Sequence, residues 1–362
     1  MPVHLVEPPA IVTVSTCASL CHDAPVGLLQ RPWVDPSRQA WSGAAPRPLR
    51  VTLWYPAVAD ARMEVLPAGP FALEPVAPGA APAASPARLP LLLLSHGTGG
   101  SALAMSWLAR ALAARGFLVA GVDHHGNTGA EAEYRLEAFL AWWDRPRDLS
   151  AALDRLLADP QWGPRVDTQR VGVIGFSLGG YTALAALGAR LDAAALAHFH
   201  SRCADEGQCL LPPEIAARHS AAEVGALLRS DGRLRASIEE AGRDWSDARF
   251  RAGLVLAPVM GALMSAESLT AIRVPLHLIA SEADDQAPPS VTAQRVAAAV
   301  PGATVHVLQG AGHYSFLSPC NEFGRQRAAP ICSDPPDQPR ERLHRQLQVE
   351  ALDFFARALP QR

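Results

Sequence analysis

Gly175-Phe176-Ser177-Leu178-Gly179-Gly180 follows an apolar run at residues 171–176 and opens an apolar, helix-forming stretch. A G-x-S-x-G set between strand and helix is a nucleophile elbow. Its turn strains the serine backbone, and the small flanking residues allow close packing, so the hydroxyl stands clear of the sheet. A serine hydroxyl is a weak nucleophile at neutral pH; it needs a base, and the base needs an orienting carboxylate. Both are available downstream. Ser281-Glu282-Ala283-Asp284-Asp285 follows the apolar run 276–280, and Gln309-Gly310-Ala311-Gly312-His313 follows the run 304–308. Ser177, Asp284 and His313 are therefore the expected catalytic set. Asp284 is preferred to its neighbour Asp285, which reads as a solvated residue or a cap for the helix at Ser290; Asp285 remains the alternative and Glu282 a weaker one.

An oxyanion formed during acyl transfer needs two preorganised donors, usually the amide after the nucleophile and one from an earlier loop. Leu178 supplies the first amide. Ser95-His96-Gly97-Thr98-Gly99-Gly100 supplies the second, with Thr98 expected and Gly99 next. His96 reads as a brace for that loop. His125 and Trp143 are candidates for the substrate pocket, with a structural role open for each, and His306 reads as a strand histidine.

These residues must be carried to one place by the elements around them. Short apolar runs at residues 91–95, 117–122, 171–176, 254–257, 276–281 and 304–308 have strand length, and helical patterns at 101–115, 148–157, 178–187, 290–299 and 341–358 separate them. Strands alternating with helices predict right-handed crossovers and a mostly parallel sheet covered on both faces. The carboxyl ends of parallel strands share one edge, where residues far apart in sequence can meet. Residues 11–14 and 51–55 read as opening antiparallel strands, separated by turn-rich sequence through Pro25, Pro32 and Pro36. Residues 56–90, rich in Pro and Ala, predict a long irregular surface connection. Residues 191–251 are too long for a crossover and read as a helical cap inserted into a single domain spanning 1–362.

Composition narrows the classes. The chain has 362 residues, 49 % apolar and 19 % charged, with a net charge of −3, so a sizeable core is expected. All 32 basic residues are Arg. A chain without Lys has no Schiff-base lysine and no Walker lysine, and the near-neutral balance without a basic run argues against nucleic acid as a partner. The uncharged stretch 171–189 is broken by five glycines, so no integral membrane segment is expected. The six cysteines form close pairs, Cys17 with Cys21, Cys203 with Cys209, and Cys320 with Cys332, which suits disulfides and a periplasmic or secreted protein. Met1 to Gln30 lacks a signal-peptide pattern, which leaves a cytoplasmic location as the alternative. His198, His200, Cys203 and Cys209 match no zinc spacing, so no metal is expected.

The chain resembles bacterial predicted dienelactone hydrolases, which are similar to lipoprotein-associated platelet-activating-factor acetylhydrolases. The likeness runs through Val51-Thr52-Leu53-Trp54-Tyr55-Pro56, the Ser95 to Gly100 loop, Val122-Asp123-His124-His125-Gly126-Asn127, the elbow, and Gly312-His313-Tyr314-Ser315-Phe316-Leu317. The resemblance implies the α/β-hydrolase fold and a cofactor-free serine esterase with Ser177, Asp284 and His313 as its triad and the Thr98 and Leu178 amides as its oxyanion hole. It also implies a Cys320–Cys332 bridge. Dienelactone hydrolases themselves use cysteine, and the elbow here holds Ser177, so the family name does not supply a substrate. The expected function is hydrolysis of short- to medium-chain carboxylic esters through an acyl-enzyme, with a small-molecule or a polymeric ester as the substrate. An amidase or thioesterase with the same triad is the alternative, and a non-catalytic binding protein of the same fold is the rival from another class.

Overall fold

The computed structural model describes residues 24–206, 213–216, 218–335 and 338–361. The expected strand at 11–14 and the cysteines Cys17, Cys21 and Cys209 lie outside the described residues, as does the side chain of Cys203.

Nine strands form one sheet: β1 (Val26–Gln39), β2 (Pro46–Pro56), β3 (Ala77–Pro78), β4 (Leu89–Ser95), β5 (Leu118–His124), β6 (Val166–Phe176), β7 (Ala252–Leu256), β8 (Leu276–Ser281) and β9 (Thr304–Leu308). Their order is β3-β1-β2-β5-β4-β6-β7-β8-β9. From β5 to β9 every pairing is parallel, whereas β2 runs antiparallel to both β1 and β5. The middle of the sheet is buried on both faces because strands such as β4 and β7 are apolar along nearly their whole length rather than at alternate positions, whereas β1 and β9 at its flanks are partly exposed. Leu91 and Leu93 of β4 point into one core with Leu149 and Leu153, while Leu92 and Leu94 point into the other with Trp107, Leu112 and Phe355. The helices Arg145–Ala158 and Leu178–Ala186 cover the first face; Ser106–Ala113 and Arg340–Ala358 cover the second.

Two expectations need correction. β1 occupies Val26–Gln39, which its prolines suggested was turn-rich. Among the described residues it pairs beyond Leu28 only with β2, so Pro32 and Pro36 face no second described strand that would need their missing donor. Residues 56–90 are largely irregular but not confined to the surface. Phe71, Leu73 and Val76 are buried in the second core, and the stretch is stitched down by bridges from Glu64 to Val76 and from Phe71 to Cys320. Between β6 and β7, beyond the elbow helix, lie the helices Ala193–Glu206, Pro213–Ala216, Ala221–Ser230 and Gly232–Ile238. No helix among the described residues is long and apolar enough to cross a membrane.

Candidate active site

β6 delivers Ser177 into a turn with φ 54° and ψ −117°, a conformation that side chains other than glycine rarely adopt. The turn is fixed from three sides. Ser177 N–H donates to Leu256 O at 2.9 Å, and Ser177 O accepts from the amides of Gly180, Tyr181 and Val259. A Cβ at Gly175 would sit 1.9 Å from Gly179 O, and one at Gly179 would sit 2.0 Å from Ser95 O. The two glycines of the motif are thus required by close approach, one to the elbow helix and the other to the end of β4.

β8 and β9 carry the other two groups to the same edge. The Ser177 hydroxyl lies 2.9 Å from His313 Nε2, and His313 Nδ1 lies 2.7 Å from Asp284 Oδ2. Asp284 is held in turn. Its Oδ1 accepts the amides of Gln286 at 3.0 Å and Ala287 at 2.7 Å, leaving Oδ2 to face the imidazole. All three side chains are buried. With an ionised Asp284 the His313 proton belongs on Nδ1, so Nε2 is the acceptor for the serine hydroxyl. Asp285 is exposed and points into the cavity beside the site instead.

Thr98 and Leu178 both line this cavity, and among the described residues neither amide is taken by a protein acceptor. Leu178 opens a helix, so its N–H has no intrahelical partner. Gly99, the second choice from sequence, donates its amide to Asn127 Oδ1 at 2.6 Å and is therefore spent. The loop is further held where Tyr134 Oη donates to Gly99 O at 2.8 Å and Thr128 Oγ1 donates to Gly100 O at 2.9 Å. His96 braces it from within: Nδ1 donates to Gly97 O, and Nε2 accepts the His124 amide.

Behind the loop lies a buried ionic network that no motif announced. Asp148 accepts from Arg38 at 2.6 Å, from Arg47 at 2.8 and 3.0 Å, and from His124 Nδ1 at 3.0 Å. Burial alone would raise the Asp148 pKa, but Arg47 and Arg38 hold it well below the usual carboxylate range. Burial pushes His124 down to about 3, so it is neutral and accepts from Ser95 Oγ at 2.8 Å. Arg145 is also fully buried. It donates to His96 O, while its Nε and Nη1 find no acceptor among the described residues, and burial lowers its pKa to about 9. The network thus clamps the end of β4, from which the 97–100 loop departs.

The cavity over Ser177 has a volume of about 980 Å3. Its lining corrects two sequence candidates. Trp142 reaches it and Trp143 does not: the Trp143 ring packs in the core and its Nε1 donates to Ser237 Oγ at 2.7 Å. His125 is also turned away, donating from Nδ1 to Glu131 at 2.8 Å and accepting the Trp41 amide on Nε2 at 3.1 Å. Two wall segments went unnoticed in the sequence. One is the strap Pro67 to Phe71, which Asn321 fastens through its amide to Pro70 O and its Nδ2 to the Gly69 and Phe71 carbonyls. A disulfide joins Cys320, at the base of that strap, to Cys332. The other is the loop after β7, where Ala257 and Met260 have positive φ like Ser177 and Val259 to Leu263 face the cavity. Among the described residues no three His, Cys, Asp or Glu side chains are grouped to hold a metal ion.

Residues 91–326 match the sequence model of a family described as the alpha/beta hydrolase family. Among solved structures, the chain is similar to a ferulic acid esterase from Streptomyces cinnamoneus, at 24% identity over 95% of this chain and 93% of that one, with a TM-score of 0.58. No curated protein matches the sequence.

Proposed function

Because the chain belongs to the alpha/beta hydrolase family, we propose that it is a serine carboxylic ester hydrolase working through an acyl-enzyme. The observation that carries this reading is the unbroken relay from Ser177 through His313 to Asp284, lying beside two unclaimed amides at the open edge of the sheet. His313 Nε2 takes the hydroxyl proton as Ser177 Oγ attacks the ester carbonyl. The carbonyl oxygen gains negative charge and is received by the Thr98 and Leu178 amides. The imidazolium, held by Asp284, then gives its proton to the departing alcohol, leaving the acyl group on Ser177. Water attacks the acyl carbon as His313 removes its proton, the same two amides receive the second oxyanion, and His313 returns the proton to Ser177 Oγ as its bond to the acyl carbon breaks and the acid leaves.

The ester reading draws support from the resemblance to the acetylhydrolase-like group and from the activity named for the ferulic acid esterase. The helices between the elbow helix and β7 act as the cap over the site in this reading, since Phe199, Ile215 and Leu228 reach the cavity. The Cys320–Cys332 bridge is compatible with work in an oxidising compartment such as a periplasm or the exterior. Hydrolysis of p-nitrophenyl esters by the native protein beside Ser177→Ala tests the proposal: turnover should be lost in the variant. Turnover that survives in it would overturn the mechanism.

A further inference from the structure

The cavity also constrains what the site takes, in an argument that rests on the ester-hydrolase reading. At about 980 Å3 it stands at the upper end of ordinary small-molecule sites. An acetyl group with a small alcohol would leave most of its wall against water. That wall is apolar and comes from separate parts of the chain: Phe71 from the strap, Phe139 and Trp142 from the segment before the helix Arg145–Ala158, and Phe199, Ile215 and Leu228 from the inserted helices. The Trp142 and Phe199 rings meet edge to face at 5.7 Å, so roof and wall close on each other.

Charge narrows the class further. Three formally charged side chains reach the lining, Arg50, Asp123 and Asp285. Arg50 is the cation among them, and its charge is offset by the Asp123 carboxylate beside it. Its Nη1 donates to Ala130 O at 3.0 Å and its Nη2 to Gln30 Oε1 at 2.9 Å, while its Nε lies 3.6 Å from Asp123 Oδ2. A carboxylate or phosphate on the substrate would find, among the described lining residues, one arginine already beside a carboxylate and would meet the exposed Asp285. A neutral arm meets neither problem.

We propose that the substrate is an uncharged ester with one bulky apolar arm, of the size of about eight carbons or a fused aromatic ring, buried under the helices that precede β7. Each methylene moved from water to such a wall is worth roughly a fourfold gain in binding. Even partial burial then gives a rise of at least about thirtyfold in kcat/KM from acetyl to octanoyl.

The test varies both arms of the ester on the native protein. One series is p-nitrophenyl acetate, butyrate, octanoate and 2-naphthoate; the other, followed by pH-stat, is ethyl, octyl and 2-naphthylmethyl acetate. The expected result is the thirtyfold rise in at least one series. p-Nitrophenyl hydrogen glutarate should run at least about tenfold below the pentanoate of similar length. Leu228→Trp, which fills the roof, should cost the favoured bulky ester at least about tenfold more than its small counterpart. Small esters preferred in both series, or the glutarate matching the pentanoate, would overturn this inference alone, because a fluorophosphonate would still label Ser177. Absence of both turnover and labelling would overturn the ester-hydrolase reading and this inference with it.

Discussion

Asp284→Asn isolates the orienting role of the carboxylate, because the structure dictates which way the new amide must lie. Asp284 Oδ1 accepts two backbone amides, from Gln286 and Ala287, so the Asn oxygen must stay there and its NH2 must face His313 Nδ1. For His313 to serve as base, its Nδ1 proton would point at that NH2, leaving two buried donors opposed at about 1–3 kcal/mol each. The charge-assisted bond that steadies the imidazolium, worth about 1.5–3 kcal/mol, is lost as well. Together these raise the barrier by about 3.5–9 kcal/mol, or roughly 400- to 4 × 10⁶-fold in kcat. The alternative tautomer leaves Nε2 protonated against the Ser177 hydroxyl and cannot accept its proton. Steady-state hydrolysis of the best p-nitrophenyl ester would measure the loss, beside Asp285→Asn as a control expected to lose less than about tenfold. An Asp284→Asn enzyme within tenfold of native activity would refute the reasoning, and a large loss in Asp285→Asn would move the role to its neighbour.

Asn127→Ala frees the Gly99 amide and loosens the loop that presents Thr98; kcat should fall at least about tenfold with KM within about threefold, and a fall in KM-dependent binding alone would contradict this. Arg145→Met removes the donor to His96 O from behind that loop and should lower kcat, with Arg145→Lys recovering part of it; equal loss in both, with both folded, would count against a positioning role. Burial depresses the folded-state pKa of His96 well below its ordinary value and takes His124 and His344 down to about 3, while Asp123 is raised to about 6. Between pH 6 and 4 these three histidines take up protons in the unfolded chain and not in the folded one, outweighing Asp123, so stability should fall on acidification. Urea midpoints that stay level from pH 6 to 4.5 would contradict that sign. Cys332→Ser opens a loop whose ends are 12 residues apart, which should cost about 3 kcal/mol and loosen the strap carrying Phe71, read as a lower Tm and a raised KM for bulky esters. An unchanged Tm would remove the bridge from the account.

The elements nearest the chemistry were the most legible. β8 and β9 fall on the runs read from sequence, because each apolar stretch is bounded by turn-forming residues. The elbow, the carboxylate strand end and the glycine-rich turn before His313 each carried a local signal, and their meeting followed from parallel topology. What stayed hidden depends on contacts between distant residues. Arg38 and Arg47 reach Asp148 across more than a hundred positions, with no periodicity to announce the pairing. The strap at Pro67 to Phe71 looked like filler because Pro and Ala carry little pattern, yet Asn321 pins it to the cavity. Trp142 and Trp143 are adjacent and alike; only the turn of the backbone at Ala141 to Asp144 decides which one faces the cavity.

The account stands most directly on Ser177 as the nucleophile, and the measurement for it is the mass of the protein after treatment with a fluorophosphonate. One adduct per chain should form, map to the peptide containing Ser177, and abolish ester turnover in proportion to its occupancy. Full turnover by the labelled protein, or an adduct on any other residue that accounts for the inactivation, would contradict it.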